Sequence, residues 1–136
     1  MSERGSVTVV VVVFTVALLL VGGLVLDGGY TLAAHRRAFN EAEAAARTGA
    51  QAVDLDVLRA TGEVRLDHGA ARELAESYLA EAGHQGLVEV DGDSVHVRLS
   101  FEQPMLILSI VGVGPLEVNG EGKARAVRGV VAGDEL

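Results

Sequence analysis

The chain runs, from Arg4 to Leu26, RGSVTVVVVVFTVALLLVGGLVL, and the fold turns on how those residues are read. From Val7 to Leu26 there is no charged side chain; Glu3 and Arg4 precede the run and Asp27 closes it. A helix rising about 1.5 Å per residue would make this stretch roughly 30 Å long, the thickness of the hydrocarbon layer of a bilayer. Valine is a moderate helix former in water, but in lipid the backbone must satisfy its own hydrogen bonds, so the helix wins. The reading is a single transmembrane helix.

Two other readings were weighed against it. A secretory signal has a shorter apolar region, about 7 to 15 residues, followed by an A-x-A-like cleavage site. The nearest candidate, Leu32-Ala33-Ala34, matches poorly. A buried core helix is the second, but a chain of 136 residues rarely needs so long an apolar core segment. Orientation is not set by charge, since Arg4 lies before the run and Arg36 and Arg37 lie after it.

Gly22-Gly23 and Gly28-Gly29 bracket the end of the run and are read as places where the helix could loosen or bend. Strong helix formers then return from Thr31 to Ala60, so the helix is expected to resume or never to stop. Ala34, Ala38, Ala42, Ala45, Gly49 and Ala52 recur at spacings of three and four and form a stripe of small residues on one side. Such stripes let helix backbones approach closely. The stripe is expected to pack against partner helices, unless it is simple alanine richness in a good helix.

Beyond the stalk, Asp67 is a plausible N-cap for a helix from about His68 to Ala82, with Leu74, Ala75, Tyr78, Leu79 and Ala82 on one face and Gly83 as terminator. The period then changes to two. LVEVDGDSVHVRLSF, Leu87 to Phe101, places Val88 and Val90 on one face and Val95, Val97, Leu99 and Phe101 on one face of the next segment. A Gly92-Asp93 turn sets Val90 opposite Val95 and Val88 opposite Val97. Pro104 ends that strand. The apolar run Met105, Leu106, Ile107, Leu108, Ser109, Ile110, Val111 is too short to span a membrane and is a core strand, a short helix or an exposed contact patch. A last strand, with a bulge or turn at its glycines, is expected from Leu116 towards Val127, and a loose tail follows.

The net charge is -8, and all of it lies from Asp27 onward, which argues against nucleic-acid binding. No cysteine is present, so disulfides and thiolate metal sites are excluded. His35, His68, His84 and His96 lack metal-ligand spacing and read as solvated surface residues. Asp91-Gly92-Asp93 with Glu102 resembles a calcium loop at its ends only, because Val95 and His96 occupy its middle. No catalytic residue, cofactor site or metal site is expected.

The stretch from Arg4 to Val53 resembles the TadE/TadG-like family, minor pilins or pseudopilins of the Tad (Flp, type IVc) pilus system. The likeness rests on RGSVTV leading into the apolar helix, on Asn40-Glu41-Ala42-Glu43-Ala44-Ala45-Ala46, and on Gly49-Ala50. Softer likenesses to actinobacterial members follow in Ala75 to Ala80, Val88 to Ser100, Gly112 to Gly114 and Ala124 to Gly129. The resemblance implies a cytoplasmic N-terminus and an extracytoplasmic C-terminal domain in the cell membrane. It also implies prepilin-peptidase cleavage between Gly5 and Ser6, after which the fifth residue is commonly glutamate. Here that residue is Val10, which leaves no carboxylate to pair with a buried terminal amine. The balance moves from filament subunit to retained assembly component.

The expected organisation is a leader (1–6), the membrane helix (7–26), an Ala-rich helical stalk (27–60), a small α+β domain of one helix on about three antiparallel strands (61–129) and a flexible tail (130–136). The expected partners are the membrane, other Tad-like pilus or pseudopilin subunits, inner-membrane platform proteins and a second copy of the chain. The run from Met105 to Val111 would contact the membrane surface or a neighbouring subunit. The rival is a membrane-tethered sensor or adaptor whose sheet binds a peptide or envelope component.

Overall fold

The computed structural model describes residues 3–127; the tail expected at 130–136 lies outside them. The elements, in chain order, are α1 (Glu3–Gly49), α2 (Leu55–Thr61), α3 (His68–Glu81), β1 (Gly86–Asp91), β2 (Ser94–Gln103), a 3-10 turn (Leu108–Val111) and β3 (Leu116–Arg125). The class is α+β, with a three-stranded antiparallel sheet in the order β1-β2-β3.

The first helix is continuous through both glycine pairs, so Gly22-Gly23 and Gly28-Gly29 do not break it. It ends earlier than Ala60. After Gly49 the chain tightens, with the Gln51 and Ala52 amides donating to Thr48 and Gly49 at 3.2 and 3.1 Å. Asp54 then starts a separate helix, its carboxylate accepting from the Asp56 and Val57 amides, and Gly62 ends that helix at φ 76°. Gly49 also sits where α1 lies close to α3, since a Cβ there would be 2.7 Å from the Ala71 carbonyl oxygen.

The chain divides into two compact units, one of residues 1–35 with 102–118 and the other of 36–101 with 119–136. In the second, α3 begins where expected, at the Asp67 cap, which accepts from the Gly69 and Ala70 amides at 3.0 and 3.1 Å. Its buried face is Ala71, Ala75 and Leu79, a narrower stripe than the sequence indicated, since Leu74 is exposed. The β1–β2 hairpin has the expected register, Val90 opposite Val95 and Val88 opposite Val97, with Asp91 paired to Ser94 across the turn. Val95, Val97 and Leu99 are buried, as alternation requires.

The final strand runs unbroken through its glycines. Gly120 and Gly122 alternate with exposed residues on one face, and that face meets α1. A Cβ on Gly120 would fall 2.3 Å from the Ala38 carbonyl carbon, and one on Gly122 would fall 2.2 Å from that of Ala42. Strand and helix touch backbone to backbone, which only glycine allows. Ala38, Ala42, Ala45 and Ala46 are fully buried here.

In the first unit, the apolar part of α1 is exposed on all sides. Every large side chain from Val7 to Leu26 is at least 40% exposed, while Gly23 and Asp27 are buried. The segment 102–118 supplies the cover for those two residues, through the 3-10 turn and the residues before it.

Candidate functional site

One face of α1 carries the features of interest. Gly23, Asp27, Ala34, Ala38, Ala42, Ala45 and Gly49 follow one another at helical spacing, and all are buried. The sequence reading began this stripe at Ala34 and assigned it to partner helices. The structure covers Ala38 and Ala42 with the chain's own β3, and Gly49 with Ala71, Ala75 and Val95. Ala52, at the end of the stripe, is half-buried. Small residues permit close approach here, as their spacing indicated, but the surface that approaches is a strand with glycines in register.

The opposite behaviour marks the N-terminal part of the helix. Gly5 and Ser6, the expected processing pair, lie exposed in its first turns, and Val10 is exposed in the middle of the apolar run. Val7, Val9, Val10, Val11, Val12 and Val13 are each more than half exposed. An uncharged helix of this length with its large apolar side chains exposed is what a lipid-facing span requires.

The run Met105 to Val111 is irregular up to Ile107 and ends in the 3-10 turn Leu108–Val111. Met105 is buried, Ile107 and Leu108 are half-buried, and Leu106, Ile110 and Val111 are exposed. It is held to the helix by Asp27. The amides of Leu106 and Ile107 donate to Oδ1 at 3.0 and 3.3 Å, and those of Ile107 and Leu108 donate to Oδ2 at 3.0 and 2.7 Å. Three amide N–H groups, that of Ile107 shared between the two oxygens, favour the ionised carboxylate, and the bond from Leu108 above all holds it below the ordinary range. Beside it, a Cβ on Gly23 would lie 2.7 Å from Ile107 Cγ2.

The sequence reading takes Gly23 as a place where the helix could bend and Asp27 as the charge that closes the apolar run, and it assigns a contact to neither. Asp27 is the first charge after the apolar run, and it stands seven residues before Ala34, on the same helical face. That spacing was the available signal. Its partners lie 79 to 81 residues away in the chain, where no local pattern points to them.

The second unit contains one other buried polar arrangement. His84, expected at the surface, is only 17% exposed in its side chain; its ring stacks on Phe101 with centroids 4.5 Å apart, and Nδ1 lies 2.7 Å from Glu41 Oε2. Arg37 donates to the other oxygen of Glu41 at 2.6 Å. A groove of about 520 Å³ is lined by Phe39, Glu89, His96, Val97, Arg98, Glu121, Gly122 and Lys123. Within it Arg98 is already paired to Glu89 at 2.8 Å. The residues that resembled a calcium loop form the hairpin turn, and Asp93 is taken by Arg125 at 2.7 Å. The guanidinium of Arg125, with the Ser94 hydroxyl, holds the Asp93 carboxyl below its ordinary range. Among the described residues, no group of histidine and carboxylate side chains is placed to hold a metal ion.

Residues 5–52 match the family described as "Putative Flp pilus-assembly TadE/G-like". Over that stretch the chain is similar to this family. The TadE/G-like segment takes in Gly5, Ser6, Val10, the whole apolar span and the small-residue stripe to Ala52, and it stops just before α2. The family is one of pilus assembly, and a single long apolar helix near the N-terminus fits a single-pass membrane anchor. No curated protein and no solved structure gives a significant match to the chain.

Proposed function

We propose that this protein is a membrane-anchored component of a Tad-type pilus or secretion apparatus, a minor pseudopilin or assembly factor that works through protein–protein contacts. Its N-terminus would be cytoplasmic and its α+β domain extracytoplasmic. The observation that carries the reading is the coincidence of the TadE/G-like match with a helix of membrane length whose large apolar side chains from Val7 to Leu26 are all exposed. Val10 supports a retained anchor over an ordinary filament subunit, because a shed leader would leave an ammonium with no carboxylate beside it.

The fold changes which surface is available to partners. The face from Ala38 to Gly49 is occupied within the molecule, so contacts with pilus subunits or platform proteins fall to the span and to the exposed side of the helix, where Tyr30, Leu32 and Phe39 are each about half exposed. Photo-crosslinkers placed at Val13, Leu20 and Leu32 in the native membrane are expected to trap another subunit of the same apparatus. Intact mass of the membrane-extracted chain reports whether it begins at Met1 or Ser6. A mature start near Ala34 would remove the anchor and end this reading; so would crosslinks that form only to unrelated envelope proteins.

A further inference from the structure

We infer that the loop from Met105 to Leu116 inserts into the interfacial layer of the membrane at the C-terminal end of the apolar span, and that Asp27 is the clasp that holds it at that depth. The inference rests on Val7–Leu26 crossing the membrane and does not depend on the pilus role.

The loop reads MLILSIVGVGPL and carries no charge. Between the buried Met105 and Leu116, where β3 begins, it is neither strand nor core. Leu106, Ile110, Val111, Val113 and Leu116 are all exposed, Ile110 by 83%. A patch of this kind on a protein surface marks a contact, and its position identifies the occupant. Ile107 packs onto Gly23, which lies inside the apolar run, and its amide bonds to Asp27, the first residue beyond that run. The loop therefore runs beside the last turn of the span, where Leu24, Val25 and Leu26 are also exposed. The bare surface of the loop is continuous with the bare surface of the helix end, and the solvent of the latter is lipid.

The clasp fits that setting chemically. Non-helical backbone at membrane depth is tolerated only where its polar groups find partners in the protein. Three consecutive loop amides, of Leu106, Ile107 and Leu108, would be such unsatisfied donors. A carboxylate buried at the edge of the apolar span would likewise be costly without hydrogen-bond donors. Each supplies what the other lacks, and Asp27 is 1% exposed as a result. Gly23 gives the loop room to lie against the helix, since any side chain there would meet Ile107.

The chain contains no tryptophan, so a single one reports its own surroundings. Full-length Ile110→Trp is reconstituted in phosphatidylcholine vesicles with and without lipids brominated near the headgroup end of the acyl chain. Leu24→Trp serves as the membrane standard and Leu87→Trp, exposed on β1, as the aqueous one. Ile110→Trp is expected to show blue-shifted emission and at least about half the bromolipid quenching of Leu24→Trp, as for side chains seated 5 to 10 Å into the interface. Adding Asp27→Ala to Ile110→Trp is expected to lower that quenching and raise acrylamide access, while Asp27→Ala with Leu24→Trp leaves quenching unchanged.

Acrylamide-accessible emission from Ile110→Trp, matching Leu87→Trp, would overturn insertion. Emission shielded from acrylamide but untouched by bromolipid would overturn it too, in favour of a protein partner. Quenching that survives both Asp27→Ala and Asp27→Asn would refute the clasp. Failure of the Leu24→Trp standard itself would bring down the membrane-anchored reading and this inference with it.

Discussion

Gly122→Ala is the sharpest test of how α1 meets the sheet, because two opposing effects predict opposite signs. In a strand with open space, replacing glycine by alanine removes conformational freedom from the unfolded chain and stabilises by about 0.5–1 kcal/mol. Here the new Cβ would fall 2.2 Å from the Ala42 carbonyl carbon and 2.3 Å from both its oxygen and the Glu43 amide nitrogen. Ordinary carbon contacts lie at about 3.5–4.0 Å, so the strand and helix must part by more than an ångström. The obstructing atoms are helix backbone and cannot rotate away. Overpacking costs about 1–3 kcal/mol when side chains can adjust, and the upper end applies where they cannot. The expected net loss is about 2–3 kcal/mol, a drop in Tm on the order of 10–20 °C for a unit of this size. Thermal unfolding of the full chain in detergent, followed by circular dichroism, reads it. Ala42→Gly added to Gly122→Ala should not rescue, since the clash is not with the Ala42 side chain. An unchanged or raised Tm for Gly122→Ala would refute the backbone contact.

Gly28→Ala and Gly29→Ala, with nothing near the added atom and the helix running straight through, should each raise helix stability by about 0.5–1 kcal/mol in the same unfolding assay. Asp54→Ala and Asp67→Ala each remove a cap that accepts two amide hydrogen bonds, and each should cost about 1 kcal/mol by the same measurement. Asp93 has a folded pKa below its unfolded value, chiefly through Arg125, so its contribution to stability is present above about pH 4 and is lost as pH falls through the lowered folded value. Asp93→Asn should therefore be less stable than the parent at neutral pH, with the difference closing in acid; a gap constant from pH 7 to pH 2 would contradict it.

Much of this architecture is legible in the residues. The span follows from an uncharged run of membrane length, and the hairpin register follows from the two-residue period and its turn. The α3 start follows from Asp67, whose side chain does what a cap does. The misreadings concern residues with little or no side chain. Glycine means freedom in one setting and close approach in another, and the local sequence is the same in both. Gly23, Gly120 and Gly122 were read as places to bend, yet each sits where a neighbour leaves no room for a Cβ. The Ala stripe lies against β3, and that occupant is set by which glycines lie opposite, about eighty positions away. His84 reads from the sequence as a surface residue because its burial comes from Phe101 and Glu41, on other elements.

Gly23 and Gly122 make the same kind of contact with different kinds of neighbour, and that difference can be measured. At Gly122 the opposing atoms are backbone, whereas at Gly23 they are the Cγ2 and Cβ of Ile107, at 2.7 and 3.3 Å, and Leu108 Cδ2 at 3.5 Å. Gly23→Ala should therefore push the Ile107 side chain, strain the amides bonded to Asp27, and loosen the loop. Ile107→Ala removes the obstructing Cγ2, so the double variant should regain much of what Gly23→Ala loses. A double-mutant cycle isolates that coupling, and contacting residues typically show about 0.5–3 kcal/mol. The readout is protease or hydrogen-exchange protection of the Leu106 to Leu108 amides, which report loop attachment directly. Rescue at Gly23 without rescue at Gly122 would separate a side chain fitted into a helix notch from a strand laid on helix backbone. Equal rescue at both, or at neither, would mean that the two glycines are not distinguished by what they face.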